Sequence, residues 1–229
     1  MQWIHTFSLY LFDFDGLLVN SEHLHFAAYV EMCRRHGYTL SWDFYRFCLA
    51  AHYSSVGLRD GIFQEFPELK ASVPAWDELY MEKKAIYQEL IESGKLELMP
   101  GVEPLLNALQ QADIRRGVAT NSTLAQVEAI KKQLPILQSI PVWITREDYQ
   151  KAKPEPDAYL TAIKRIGKEN DRMIGFEDSL RGIQALKGAG VQPVLICPDL
   201  HPQLDDPQLV DIPYFESLEN IPEVSGPIG

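Results

Sequence analysis

The chain has 229 residues, 46% hydrophobic and 23% charged, with a net charge of -11. These values exclude a disordered or fibrous chain and allow one or two globular domains. The acidic balance, with basic residues scattered in runs no longer than two, excludes nucleic acid as an expected partner, because neutralising phosphates needs clustered Lys and Arg. No basic region precedes an apolar segment at the N-terminus, and no apolar stretch approaches the roughly 18 residues of a membrane helix, so neither a signal peptide nor a membrane partner is expected. Cys33, Cys48 and Cys197 are far apart and form no CxxC pair. They read as free thiols in a reducing cytoplasm, with a Cys33–Cys48 bridge as the alternative.

The first element is the apolar run Phe7 to Phe12, predicted as a buried strand. It ends in Asp13-Phe14-Asp15-Gly16. Positions i and i+2 of a strand point to one face, so the two carboxylates repel unless something offsets their charge. A divalent cation such as Mg²⁺ suits carboxylate oxygens. Taken alone, the same four residues are also an ordinary surface turn.

From Ser21 to Leu96 no strand pattern is found. Ser21 to His36 reads as a helix closed by Gly37. Trp76, Leu79, Tyr80, Lys83, Ile86, Tyr87, Leu90 and Ile91 follow helical spacing and stop at Gly94. The division predicted is a helical domain of residues 20–96 inserted into an α/β domain of residues 1–19 and 97–229. Its position beside the Asp pair suits a cap over a site; a helical subdomain without that role is the alternative.

Beyond the insertion, strands are predicted at Gly117–Thr120, Val142–Thr145, Met173–Phe176 and Val194–Cys197. They alternate with helices at Val102–Ala112, Thr123–Leu134, Asp157–Ile166 and Ser179–Ala189, the second of these capped by Asn121-Ser122. This alternation indicates an α/β fold with a Rossmann-like parallel sheet. A last short strand is expected near Tyr214-Phe215, and residues 222–229 read as a loose tail.

Four signals fall at the carboxyl ends of strands, where ligands bind in open α/β sheets. They are Asp13 with Asp15, then Thr120-Asn121-Ser122, then Lys153-Pro154-Glu155-Pro156-Asp157, then Gly175-Phe176-Glu177-Asp178-Ser179. Singly, each has a plain alternative: a turn, a helix cap, a solvated lysine, acids at a helix start. Together they gather acids, a hydroxyl and a lysine on one edge of one sheet. A cation accounts for the acids, and a phosphate accounts for the lysine, the hydroxyl and the helix N-terminus. The combination reads as phosphoryl transfer.

In this order the four segments resemble the motifs of the haloacid dehalogenase-like (HAD) superfamily, over Phe12 to Gly190. Lys153-Pro154-x-Pro156-Asp157 and Gly175-x-Glu177-Asp178-Ser179 are similar to those of its β-phosphoglucomutase-like subgroup, whose helical cap (C1-type) follows the first motif. The resemblance implies roles. Asp13 is the nucleophile that forms an aspartyl-phosphate, and Asp15 the general acid/base. Thr120, Asn121 and Ser122 cradle phosphate, and Lys153 shields the nucleophile and the phosphoryl oxygens. Mg²⁺ is the cofactor, held by Asp13, Asp178 and the backbone carbonyl of Asp15, with Glu177 among the metal-site acids as a partner that acts from behind the ligands or through water. An acid at Asp15 favours phosphate-ester chemistry over dehalogenation.

The implied enzyme is a monomeric cytoplasmic phosphatase acting on a small phosphorylated metabolite, a sugar phosphate or nucleotide. A sugar phosphomutase is the alternative, and a non-catalytic phospho-ligand binder a third. His25 falls where the mutase has a histidine. No arginine stands near Ala50 to Ser55 to grip a second phosphate, so hydrolysis is favoured. Arg46, His52 and Arg59, with His25, are the candidates for contacting substrate from the helical insertion.

Overall fold

The structure is a computed structural model that describes residues 2–53, 56–199 and 201–221. The chain divides into two compact units, Met1–Asn20 with Leu96–Gly229, and Ser21–Lys95.

The first unit is built on a six-stranded sheet. Its strands are β1 (Leu9–Phe12), β2 (Arg115–Ala119), β3 (Val142–Ile144), β4 (Met173–Glu177), β5 (Gln192–Ile196) and β6 (Tyr214–Phe215). All pair in parallel, in the order β3-β2-β1-β4-β5-β6. The chain winds outward from β1 in both directions, so the order reverses between β1 and β4, and a crevice forms beyond the carboxyl ends of those two strands.

Strand ends shift by one or two residues from expectation, β5 for example starting at Gln192 and not Val194, and two starts are instructive. β1 starts at Leu9 because Trp3–Thr6 forms a 3₁₀ turn ahead of it. β2 starts at Arg115, where the pattern suggested Gly117. Its two arginines break the apolar run but are paired: Arg115 with Asp171, and Arg116 with the carbonyls of Ile114 and Ser139.

In chain order the helices are α1 (Glu22–Arg35), α2 (Phe44–Tyr53), α3 (Gly57–Glu65), α4 (Pro67–Ser72), α5 (Trp76–Ser93), α6 (Val102–Gln111), α7 (Leu124–Gln133), α8 (Asp157–Ile166) and α9 (Leu180–Gly188). Alternation along the strands assigns two faces. Tyr10 and Phe12 of β1 stack with Phe176 of β4 on one face, with ring centroids 6.3 and 5.5 Å from it. Leu9 and Leu11 face the other way and share a core with residues of α8 and α9, among them Tyr159, Ala162, Ile183 and Leu186.

The second unit is helical, as its lack of a strand pattern predicts. Glu22–Arg35 packs against Trp76–Ser93, burying Tyr29 and Met32 of the former against Leu79, Lys83 and Ile86 of the latter. Between them lie helices Phe44–Tyr53, Gly57–Glu65 and Pro67–Ser72. Tyr80 of the predicted stripe is 38% exposed and lies outside this apolar face. No helix among the described residues is long and apolar enough to cross a membrane. Cys33, Cys48 and Cys197 are buried, and none of the three is in a disulfide.

Candidate active site

Register brings the first and last motifs side by side. Phe12 of β1 lies opposite Phe176 of β4, so the residues that follow, Asp13 and Glu177, are neighbours. The Asp13 amide extends the ladder by donating to the Phe176 carbonyl, 3.0 Å. Asp13 shares the parity of Leu9 and Leu11, and Glu177 that of Met173 and Gly175. Both carboxylates therefore point to the face covered by α8 and α9.

That face supplies Lys153 and Tyr159. The Lys153 ammonium donates to Asp13 Oδ1 at 2.5 Å, to Glu177 Oε1 at 2.6 Å and to the Tyr159 hydroxyl at 3.2 Å. The Tyr159 hydroxyl in turn donates to Glu177 Oε1 at 2.5 Å. All three ammonium hydrogens are thus engaged. Lys153 is 5% exposed and Glu177 0%. Asp13 is 9% exposed. The helix beside Glu177 is close: a Cβ at Gly182, in the first turn of α9, would overlap the Glu177 carboxylate as placed, so the glycine leaves the acid its position.

The charges are unequal. Asp13, Glu177 and Asp178 each offer a carboxylate oxygen within 4.8 Å of the others, against one ammonium. Burial pushes Asp13 up to about 8, Glu177 adds to the rise, and Lys153 opposes it. Burial also works against the charge on Lys153, but Asp13 and Glu177 outweigh it and hold the ammonium above its ordinary range. Glu177 Oε2 is buried without a hydrogen-bond partner. Buried hard oxygen donors in excess, one of them orphaned, fit a Mg²⁺ ion.

The second motif is a loop that lies ahead of its helix and takes no part in capping it. The helix after β2, α7 (Leu124–Gln133), is capped by Thr123, whose hydroxyl accepts from the Gln126 amide while Gln126 Oε1 accepts from the Thr123 amide. This corrects the expected cap at Asn121-Ser122 and leaves Thr120 to Ser122 outside capping duty. Thr120 Oγ1 accepts from the Ser122 amide at 2.9 Å. The Ser122 hydroxyl donates to Asp15 Oδ2 at 2.5 Å, so it holds Asp15 rather than pointing to solvent. The Tyr149 hydroxyl reaches the Thr120 carbonyl at 2.9 Å and the Asn121 side chain at 2.6 Å. Asp15 lies past the end of β1, in a turn closed by Gly16 at φ 78°, a conformation that favours glycine. Its carboxylate faces Ser122, and the carboxylates clustered for a cation are Asp13, Glu177 and Asp178.

The fourth motif's acids are not helix caps. Ser179 caps α9 by accepting from the Gly182 amide at 3.2 Å, which releases Glu177 and Asp178 for other work. The remaining predicted contacts belong to the helical unit. His25 stacks on Tyr87 with centroids 3.9 Å apart, and its Nδ1 lies 2.6 Å from Lys83 Nζ. Arg46 lies over the Trp42 ring and 3.6 Å from Glu65, and Arg59 pairs with Asp60 at 2.8 Å. The His52 side chain, like Ser54 and Ser55, lies outside the described residues. Tyr149 and Tyr159 were missed by motif reading. The signal available for Tyr159 was its place in α8, two residues after Asp157, and that position alone does not tell a core tyrosine from a site tyrosine.

The sequence pattern of the family described as haloacid dehalogenase-like hydrolase matches residues 10–196. A phosphorylated carbohydrates phosphatase of Thermotoga maritima is 27% identical over 185 residues, covering 80% of this chain and 81% of that protein. A validoxylamine A 7'-phosphate phosphatase of Streptomyces hygroscopicus is 33% identical over 187 residues, covering 79% of this chain and 81% of its own. A β-phosphoglucomutase from Clostridium difficile superposes with a TM-score of 0.71 at 21% identity, over 94% of this chain and 93% of the other; this likeness speaks for the fold alone.

Proposed function

The chain belongs to the haloacid dehalogenase-like hydrolase family as a phosphoric monoester hydrolase, and on that footing we propose a Mg²⁺-dependent phosphatase that acts on a small phosphorylated metabolite, a sugar phosphate or nucleotide, through an aspartyl-phosphate on Asp13. One observation carries the reading: a buried lysine bridges Asp13 and Glu177 while Asp178 reaches the same point.

In the first half-reaction an Asp13 carboxylate oxygen attacks phosphorus, the bond from phosphorus to the leaving oxygen breaks, and Asp15 gives that oxygen its proton. In the second, Asp15 takes a proton from a water that attacks phosphorus, and the bond to Asp13 breaks. Ser122 orients Asp15 for both proton transfers. Lys153 offsets charge on the phosphoryl oxygens, and Thr120 with the Asn121 amide receives them. Asp13, Glu177 and Asp178 would hold the Mg²⁺, which when bound neutralises charge on the transferring group.

The helical unit is read as the cap that selects substrate, and the whole as a cytoplasmic monomer. Hydrolysis is preferred to mutase chemistry because Arg46 and Arg59 are already engaged by Glu65 and Asp60, leaving neither set aside for a second phosphate. The test is incubation with p-nitrophenyl phosphate and a panel of sugar phosphates, with Mg²⁺ or with EDTA. Mg²⁺-dependent release of orthophosphate is expected. Isomerised sugar phosphate without release, primed by a bisphosphate, would establish the mutase instead. Ligand binding without turnover would establish a binding protein.

A further inference from the structure

We propose that Gln203 is a positioning residue for Asp178, holding the loop between β4 and α9 so that the Asp178 carboxylate joins Asp13 and Glu177 around one cation. The inference rests on the reading of those three acids as a divalent-cation site.

Gln203 sits in a 3₁₀ turn, Pro202–Asp205, beyond residues 10–196 that match the family pattern, so no motif points to it. Its side chain is fully buried at 0% exposure. A buried primary amide needs a donor and an acceptor at opposite ends of one group. Gln203 finds both in the metal-site loop: its Oε1 accepts from the Leu180 amide at 3.0 Å, and its Nε2 donates to the Asp178 carbonyl at 2.7 Å. The two bonds grip the backbone on either side of Ser179, where the chain turns from strand into helix.

The direction of a side chain follows from the backbone that bears it. Asp13 and Glu177 have theirs set by β-ladder register and parity. Asp178 follows the last residue of β4, at the point where the chain leaves the strand. The Gln203 clamp holds the backbone that bears it, bonding the Asp178 carbonyl and the Leu180 amide. Only Gln combines the needed length with both polarities: Glu lacks the donor for the carbonyl, and Met lacks both. Outer residues that orient metal ligands typically change metal affinity ten- to a hundredfold when replaced.

The experiment compares the full-length wild type with Gln203→Met and Gln203→Glu. Mn²⁺ serves as the probe, its binding read from loss of the free-ion electron paramagnetic resonance signal. Mg²⁺ is also titrated in p-nitrophenyl phosphate hydrolysis. Leu209→Ala, a buried residue of the neighbouring turn away from the loop, controls for plain loss of stability. We expect the Mn²⁺ dissociation constant and the half-saturating Mg²⁺ concentration to rise about tenfold or more in both Gln203 variants. KM at saturating Mg²⁺ should stay within about twofold, and Leu209→Ala should lower the melting temperature alone. If Gln203→Met does not fold, Gln203→Glu carries the test. Unchanged metal constants in the folded variants, or an equal rise in Leu209→Ala, would overturn the proposal. A wild type that neither binds Mn²⁺ nor needs Mg²⁺ would overturn the cation reading itself, and this inference with it.

Discussion

The two ends of one sheet carry ion pairs of opposite design. At the amino-terminal edge, Arg115 opens β2 and Asp171 precedes β4, with Leu9 of β1 between those strands. The Asp171 carboxylate takes both arms of the Arg115 guanidinium, the Ser8 hydroxyl at 2.8 Å and the Lys168 amide at 2.6 Å. One cation meets one anion, and the anion's oxygens are fully used. At the carboxyl edge three acids meet one ammonium, and Glu177 Oε2 has no partner. The consequences are opposite in sign. Arg115 holds Asp171 well below the usual carboxylate range, while burial and Glu177 push Asp13 up to about 8. A pair that closes its own charge balance serves the fold, and a cluster that leaves it open is prepared for something else to bind.

The contrast makes distinct demands on variants at the two ends. Asp13→Asn removes the attacking oxygen and one of the like charges together. Turnover of p-nitrophenyl phosphate should fall by about a thousandfold or more, the scale set by removing a nucleophile. In metal-free buffer the melting temperature should not drop, because a buried repulsion has been relieved. A variant that keeps activity would reject the covalent route, and one that unfolds would show the acid cluster to be structural.

Arg115→Ala should do the reverse. It leaves the Asp171 carboxylate, whose side chain is 7% exposed, without its cation. The expected loss is about 2–3 kcal/mol in urea unfolding, with activity per folded molecule unchanged. Within the carboxyl edge, Tyr159→Phe removes only the hydroxyl that donates to Glu177 and accepts from Lys153. A fall in kcat of roughly tenfold is expected, as for other residues that orient a site from outside it. An unchanged kcat would reduce Tyr159 to a core residue.

What could be read in advance follows from these same interactions. Asp13 and Glu177 stood out because charge at the end of an apolar strand needs a reason, Lys153 stood out only in combination with them, and a parallel sheet follows from alternating strands and helices. Arg115 and Arg116 hid the start of β2, since their partners Asp171 and Ser139 are remote in sequence and periodicity does not register them. Asn121 and Ser122 looked like caps because their residue type suits one, and Thr123 took the role through its pairing with Gln126. Tyr149 and Gln203 carry no local signal, and the place of Tyr159 after Asp157 does not tell a core tyrosine from a site tyrosine. Their importance lies in which backbone or carboxylate they face, and only the fold decides that. The helices between the outer two of the helical unit were likewise unforeseen, none of them being longer than 10 residues and so too short for a sustained helical period.

The smallest expected effect is one of pH, and it tests whether the Arg115–Asp171 end is closed as described. Asp171 has a folded-state pKa below its unfolded value of about 3.9. A carboxylate shifted that way adds stability above its unfolded pKa, and the contribution drains away as pH falls through the folded value. Arg115→Ala abolishes the main cause of the shift. The gap in stability between wild type and variant should therefore be widest near neutrality, nearly constant down to about pH 5, and progressively narrower below about pH 4. Urea midpoints for the two proteins at pH 7, 5, 4 and 3 would read it. A gap that stays constant into acid would mean that the guanidinium contributes through packing and the Ile166 carbonyl, 2.7 Å from its Nη1, and not through the charge on Asp171.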